Sequence, residues 1–197
     1  MRLYRVTWVD EAWPRLQPWD PFHPLHLPVD RQGAGRFDNP HRYVALYGAT
    51  SPTAAVGEAF GNSALWKPGE VARAKEGHPR CLVTIDVDEA IVLVDLDDAQ
   101  TLVDLGLRPS DVVRRNRDRT QEVALRLWLE GEATRPHGVR WRSYWRPEWE
   151  VVTLWSAGLE PPWFPLATVT SVVELSVASA PVIAAADVLP RQLDTST

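Results

Sequence analysis

The stretch that decides the fold runs from Gly35 to Phe60. It reads Gly35-Arg36-Phe37-Asp38-Asn39-Pro40, then Tyr43-Val44-Ala45-Leu46-Tyr47-Gly48-Ala49, then Ser51-Pro52-Thr53-Ala54-Ala55-Val56-Gly57-Glu58-Ala59-Phe60. The first segment reads as a tight turn. The second is nearly all apolar, which predicts a central strand buried on both faces. Ser51 predicts an N-cap, with Pro52 at the first helical position, where its absent N–H costs nothing. Gly61-Asn62 predicts the stop. Three side chains go beyond what packing requires: Arg36 at the turn, Tyr47 near the end of the strand, and Glu58 on an otherwise small, apolar helix face. A cation, an aromatic ring and a lone carboxylate on successive elements predict a site.

Upstream, residues 2–9 are rich in β-branched and aromatic types and predict an opening strand. Arg5 in its middle must either face solvent on an edge or be paired. Residues 10–35 hold Pro14, Pro18, Pro21, Pro24 and Pro28 and predict a loop. His23 and His26 have metal-like spacing, but Pro24 between them and the lack of accompanying ligands argue against zinc.

Downstream, 62–79 reads as irregular or partly helical. Strands are predicted over 80–87 and 90–96. Asp86, Asp88, Asp95, Asp97 and Asp98 flank them, and Asp97 is read as the cap of a helix over 97–105. Pro109-Ser110 opens another helix. The run Arg114, Arg115, Arg117, Arg119 reads as a solvated face. Val123, Ala124, Leu127 and Trp128 recur at helical spacing over 120–130, with Gly131 as the stop. A strand over 138–143 precedes its hairpin partner over 150–155, and Arg142 and Arg146 read as surface charges. A late strand over 170–178, an Ala-rich helix over 181–189 and a frayed tail complete the chain. Without strict βαβ alternation, the expected class is α+β with a mostly antiparallel sheet.

At 197 residues the chain accommodates one domain. Its 45% hydrophobic and 24% charged residues are globular values. A net charge of −5 argues against direct nucleic-acid binding through phosphates. The single cysteine, Cys81, forms no intrachain disulfide, and with no signal-like N-terminus the reading is a cytoplasmic, non-membrane protein. Ten tryptophans suit the packing of loops onto a core, or an aromatic wall for a flat ligand.

The chain has no dinucleotide-fold glycine fingerprint, Walker loop, nucleophile elbow or zincin motif. An arginine, a tyrosine, a glutamate and the serine of Gly138-Val139-Arg140-Trp141-Arg142-Ser143 suit cleavage of the N-glycosidic bond of a dinucleotide. Arginine forks phosphate. A tyrosine ring favours a cationic nicotinamide by about 0.5–2 kcal/mol. One carboxylate can stabilise the charge developing on ribose, and nicotinamide leaves neutral, so the second carboxyl group of ordinary glycosidases is not needed.

In these residues the chain resembles the RES domain family, named for an arginine, a glutamate and a serine. Gly35-Arg36-Phe37-Asp38-Asn39 is similar to its Gly-Arg-Trp-Asn turn, with Phe37 in place of tryptophan. Ala45-Leu46-Tyr47, Ser51-Pro52-Thr53-Ala54 and Glu58 are similar to its strand-to-helix passage. Trp141-Arg142-Ser143 resembles its serine segment, and Leu3-Tyr4-Arg5-Val6 its opening arginine strand.

The resemblance implies an ADP-ribosyltransferase-like fold over 1–190, a flexible tail over 191–197, and an NAD-degrading toxin. That toxin would act as an NAD glycohydrolase or phosphorylase and be held by an Xre-like antitoxin. It implies catalytic roles for Glu58, Arg36 and Ser143, and substrate contacts from Arg5, Tyr47 and Phe37. It implies no metal and no cofactor, NAD being substrate and inorganic phosphate a candidate co-substrate. A homo-oligomer stays open. So do two rivals: an ADP-ribosyltransferase acting on a macromolecule, and a non-catalytic module that binds a nucleotide or partner.

Overall fold

A computed structural model describes residues 1–28, 30, 32–113, 117–130 and 135–195. The predicted Gly131 stop and the Arg114-Arg115 part of the basic run lie outside these residues.

The chain enters as β1 (Arg2–Trp8), followed by a loop with one short 3-10 turn at Trp13–Arg15. Next come β2 (Ala45–Ala49) and α1 (Pro52–Phe60), then β3 (Leu65–Trp66), α2 (Pro68–Val71), β4 (Arg80–Val87) and β5 (Leu93–Asp95). Three helices follow, α3 (Ala99–Asp104), α4 (Pro109–Val113) and α5 (Arg117–Leu129). The chain closes with β6 (Gly138–Arg142), β7 (Glu150–Trp155), β8 (Ala167–Glu174), α6 (Ala180–Val188) and β9 (Gln192–Leu193).

Seven strands form one sheet in the order β5-β6-β7-β2-β1-β4-β8, antiparallel except between β5 and β6. The α+β class is therefore as expected. β2 sits centrally, and its small and apolar residues suit burial on both faces. Ser51 caps α1 by accepting the Ala54 N–H at 3.1 Å.

The two faces of the sheet are covered differently. Leu3, Leu46, Val83, Val152 and Leu154 form a core beneath the long loop, which contributes Leu25 and Leu27. The opposite face carries two helical groups. Over β2, β6 and β7, Tyr43, Ala45, Val139, Trp141 and Val151 pack with residues of α3, α4 and α5. Over β1, β4 and the end of β2, Tyr4, Val6, Leu82 and Ala49 pack with α1 and α6. Between the two groups a strip of the sheet around Tyr47 stays open.

Several boundaries move. β5 is only Leu93–Asp95, and β8 begins at Ala167 rather than 170. Asp98, not Asp97, caps α3, accepting the Thr101 N–H at 2.7 Å, while Asp97 pairs with Arg142 at 3.2 Å. Asp86 and Asp95 likewise have arginine partners in Arg2 and Arg140. The segment after 190 is not frayed throughout, since β9 pairs in parallel with β3. No helix among the described residues is long and apolar enough to cross a membrane.

α1 lies close to the loop between β6 and β7 because Gly57 has no side chain: a β-carbon there would fall 2.2 Å from Cζ3 of the buried Trp149 ring. Gly57→Val is expected to destabilise the protein by about 1–3 kcal/mol through overpacking, more than the propensity gain of under about 1 kcal/mol over glycine. A urea midpoint equal to or above the wild-type value would show that the indole gives way.

Candidate active site

The cleft lies in the gap between the two helical groups and encloses about 400 Å³. Tyr4 and Val6 of β1, Tyr47 and Ala49 of β2, Val151 of β7 and Trp141 of β6 line it from the sheet. Ala55, Glu58, Ala59 and Asn62 come from α1 and its end, while Gly35, Arg36 and Arg117 stand on the other side. Arg36, Tyr47 and Glu58 thus open onto one cavity.

The turn that carries Arg36 is built around Asp38. This carboxylate is 3% exposed, and its Oδ2 accepts the Gly33 N–H at 2.8 Å and the Gly35 N–H at 2.7 Å. Its Oδ1 accepts the Tyr47 hydroxyl at 2.6 Å, and that hydroxyl in turn accepts the Phe37 N–H at 3.0 Å. Gly35 is obligatory because a β-carbon there would lie 2.3 Å from the Tyr47 hydroxyl oxygen. From α5, Gln121 donates to the Gly35 carbonyl at 2.7 Å and Thr120 donates to the Arg36 carbonyl. Arg36 itself donates to the Val112 carbonyl at 2.8 Å and lies 5.9 Å over the Trp141 ring.

Burial, reinforced by the adjacent Asp38 charge, holds the Tyr47 phenol well above its usual pKa. Its hydroxyl is engaged behind the cleft, so Tyr47 offers the cavity its ring. The Trp141 ring meets it edge to face at 6.2 Å. Together they form an aromatic corner of the cleft.

Glu58 sits in the last turn of α1. The buried Ser143 hydroxyl donates to Glu58 Oε1 and accepts the Trp145 N–H at 3.0 Å. Because the backbone donor occupies a lone pair of Ser143, the serine proton is directed at the carboxylate. Among the described residues no hydrogen bond engages Oε2, which borders the cleft. Ser143 does not line the cavity but holds the Glu58 carboxylate that does.

Two assignments shift. Phe37 is wholly buried, 4.6 Å from the Trp141 ring centroid, and supports that indole from behind instead of meeting a ligand. Arg5 borders the cleft, but its guanidinium donates to the Pro24 carbonyl at 3.2 Å and the His26 carbonyl at 3.4 Å. The reason is strand alternation. Tyr4 pairs with Ala49 and shares its face, so Arg5 projects to the loop side. Burial lowers its pKa to about 10, leaving it cationic at neutral pH.

Trp141, Asp38 and Arg117 are residues of the site that sequence reasoning did not single out. Asp38 and Trp141 stand inside the quoted turn and serine segments. Arg117 belongs to the basic run read as solvated, whereas Arg119 of the same run pairs with Glu122 at 2.8 Å. Among the described residues, His23 and His26 join no metal-binding cluster. His23 Nδ1 takes the Leu25 N–H, and His26 Nδ1 lies 2.9 Å from the Trp19 carbonyl.

The RES domain family matches residues 2–188 of the chain. No curated protein matches it in sequence. A chain of the crystal structure of the M. tuberculosis MbcT–MbcA toxin–antitoxin complex is similar in fold, with a TM-score of 0.58 and 18% identity, covering 93% of this chain and 86% of that one.

Asp38→Asn is expected to cost at least about 2 kcal/mol, because an amide cannot accept from both the glycine N–H groups and the tyrosine hydroxyl. A denaturant midpoint within error of wild type would refute the keystone role of Asp38. Burial also favours the neutral phenol of Tyr43. Since both folded pKa values are raised, their contribution to stability is present below the unfolded value of about 10 and lost as pH rises beyond it. Near-ultraviolet titration to about pH 11 is expected to leave a tyrosinate fraction that appears only on unfolding, and Tyr47→Phe is expected to shrink it.

Proposed function

We propose that this chain, which belongs to the RES domain family, is an NAD-consuming enzyme that breaks the bond between nicotinamide and ribose. The observation that carries the reading is the convergence of Arg36, Tyr47 and Glu58 on one cleft, with Ser143 steering the carboxylate.

In this reading the pyridinium ring of NAD rests against the Tyr47–Trp141 corner, where aromatic faces attract a cation. Arg36 supplies charge to the pyrophosphate side. As the C1′–N1 bond breaks, its electron pair passes to the ring nitrogen and nicotinamide departs neutral. The cation left on the ribose is stabilised by Glu58, whose free oxygen can also hold a ribose hydroxyl. A nucleophile then adds to C1′. Water loses a proton and gives ADP-ribose, as in a glycohydrolase. Phosphate gives the 1-phosphate, as in a phosphorylase. Arg117 at the cleft suits either a phosphate of NAD or an entering phosphate.

We further propose that the protein is the toxin of a type II toxin–antitoxin pair, partnered by an Xre-like antitoxin. Family membership supports this, as does the likeness in fold to a chain from a complex described as toxin–antitoxin.

Purified protein incubated with NAD, with and without phosphate, is expected to release nicotinamide, and mass analysis of the second product identifies the acceptor. Glu58→Gln is expected to slow release at least ~100-fold with the fold intact. Ser143→Ala is expected to slow it less, with a smaller change in KM than in kcat. Unchanged NAD after prolonged incubation, or a fully active Glu58→Gln, would sink the proposal.

A further inference from the structure

A second cavity, of about 390 Å³, lies at the other end of β7 from the cleft. Val151 near the start of that strand lines the cleft, whereas Trp155 at its end lines this cavity, roughly 13 Å further along. The two are therefore separate sites, and the family features described above involve none of its residues.

Its walls are aromatic: Trp128, Trp155, Trp163 and Phe164. The indole N–H groups of Trp128 and Trp163 are engaged by the carbonyls of Ser156 and Leu159, at 3.1 and 2.9 Å. These two rings can offer a ligand only their apolar surfaces. The polar groups stand together on one segment. Arg135 lies 4.2 Å over the Trp128 ring, which fixes the plane of its guanidinium. Among the described residues its one hydrogen bond is to the Ala157 carbonyl at 3.5 Å, long for such a bond. No carboxylate lines the cavity among the described residues. His137 accepts the Val92 N–H at Nδ1, so the neutral ring carries its proton on Nε2 as a further donor. Arg135 Nε and Trp155 Nε1 are buried without an acceptor among the described residues. Buried donors are almost always satisfied, and each exception calls for a missing partner.

Among the described residues, donors without acceptors and a cation without an anion, set between flat apolar walls, define the complementary molecule. We propose that this cavity binds a planar aromatic carboxylate. The walls accept the ring, and the guanidinium fork matches a carboxylate in two parallel hydrogen bonds. A single guanidinium beside a neutral imidazole suits one negative charge better than the dianion of a phosphate ester. Among the described residues the cavity holds no nucleophile at liberty, since the Ser156 hydroxyl donates to Gly158 O and accepts the Val44 N–H. It is a binding site and not a second reaction centre.

The test uses the intact chain with 2-naphthoate and its uncharged counterpart 2-naphthalenemethanol, titrated by calorimetry. Wild-type protein is expected to bind the carboxylate at least roughly tenfold more tightly than the alcohol, the low end for a charged hydrogen bond. Arg135→Gln is expected to abolish the difference, and Glu58→Gln in the cleft to preserve it. In a ¹H–¹⁵N spectrum, the indole signals of Trp128, Trp155 and Trp163, assigned by single changes to Phe, are expected to shift while that of Trp141 stays. If Arg135→Gln does not fold, the indole shifts on wild-type protein decide. No binding of naphthoate, equal binding of the two probes, or shifts confined to Trp141 would overturn the proposal.

Discussion

Everything at the candidate site hangs on a carboxylate removed from water. Asp38 is buried, and an isolated buried charge is costly by several kcal/mol unless it is met by donors. Three donors meet it: two glycine N–H groups of its own turn and the Tyr47 hydroxyl of β2. Hydrogen bonds to a charged group contribute about 1.5–3 kcal/mol each, so three of them can offset the burial. The geometric consequence matters more. Each bond ties an irregular segment to the central strand of the sheet. Arg36 lies between the bonded glycine and Asp38, so its backbone has little freedom. A turn that would otherwise sample many conformations becomes as rigid as the strand it leans on, which is what a site built on a loop needs.

The cleft itself follows from how helices share a sheet face. α1 and α6 cover one side of it, α3 to α5 the other, and neither group reaches across β2. An uncovered strip of sheet would ordinarily expose apolar residues. Here the strip carries the half-buried Tyr47 ring beside the buried Trp141 indole, and the turn leans in from the end. Small residues on α1 let that helix sit low, so Glu58 arrives at the level of the rings instead of standing above them. On the opposite face the long Pro-rich loop packs over the core and is pinned by the Arg5 guanidinium. Arg5 thus supports the site through the sheet.

Local signals carried most of the fold. Ser51-Pro52, the apolar run of β2 and the helical spacing in α5 are written in neighbouring residues, and the structure follows them. What escaped depends on partners far away in sequence. The side to which Arg5 points is set by the Tyr4–Ala49 register between β1 and β2, and no local pattern encodes it. The burial of Phe37 needs Trp141, more than a hundred positions on. Asp38 looked like ordinary turn chemistry because its principal partner, Tyr47, was read as a ligand contact in its own right. Arg117 was grouped with a solvated run, although it and Arg119, two positions apart, lie about half a turn of helix from each other and meet different neighbours. A site assembled from a turn, four strands and two helices can be suspected from one stretch, but the division of labour among its residues is a property of the assembled sheet.

Glu58 is a member of the site that folding does not explain. It stands in the last turn of α1, where the helix macrodipole disfavours a negative charge by about 0.3–1 kcal/mol. The Ser143 hydroxyl meets one oxygen and leaves the other to the cleft. A glutamine there would keep a hydrogen bond with Ser143 and suit the helix end better. A carboxylate is the better choice only if positive charge arrives in front of it. A charge that comes and goes, as on a ribose losing a neutral leaving group, draws most from an acid already aimed and incompletely satisfied, because no reorganisation is needed when the bond breaks. In the proposed reaction, the small electrostatic disadvantage carried by the resting protein is the counterpart of stabilisation reserved for the transition state.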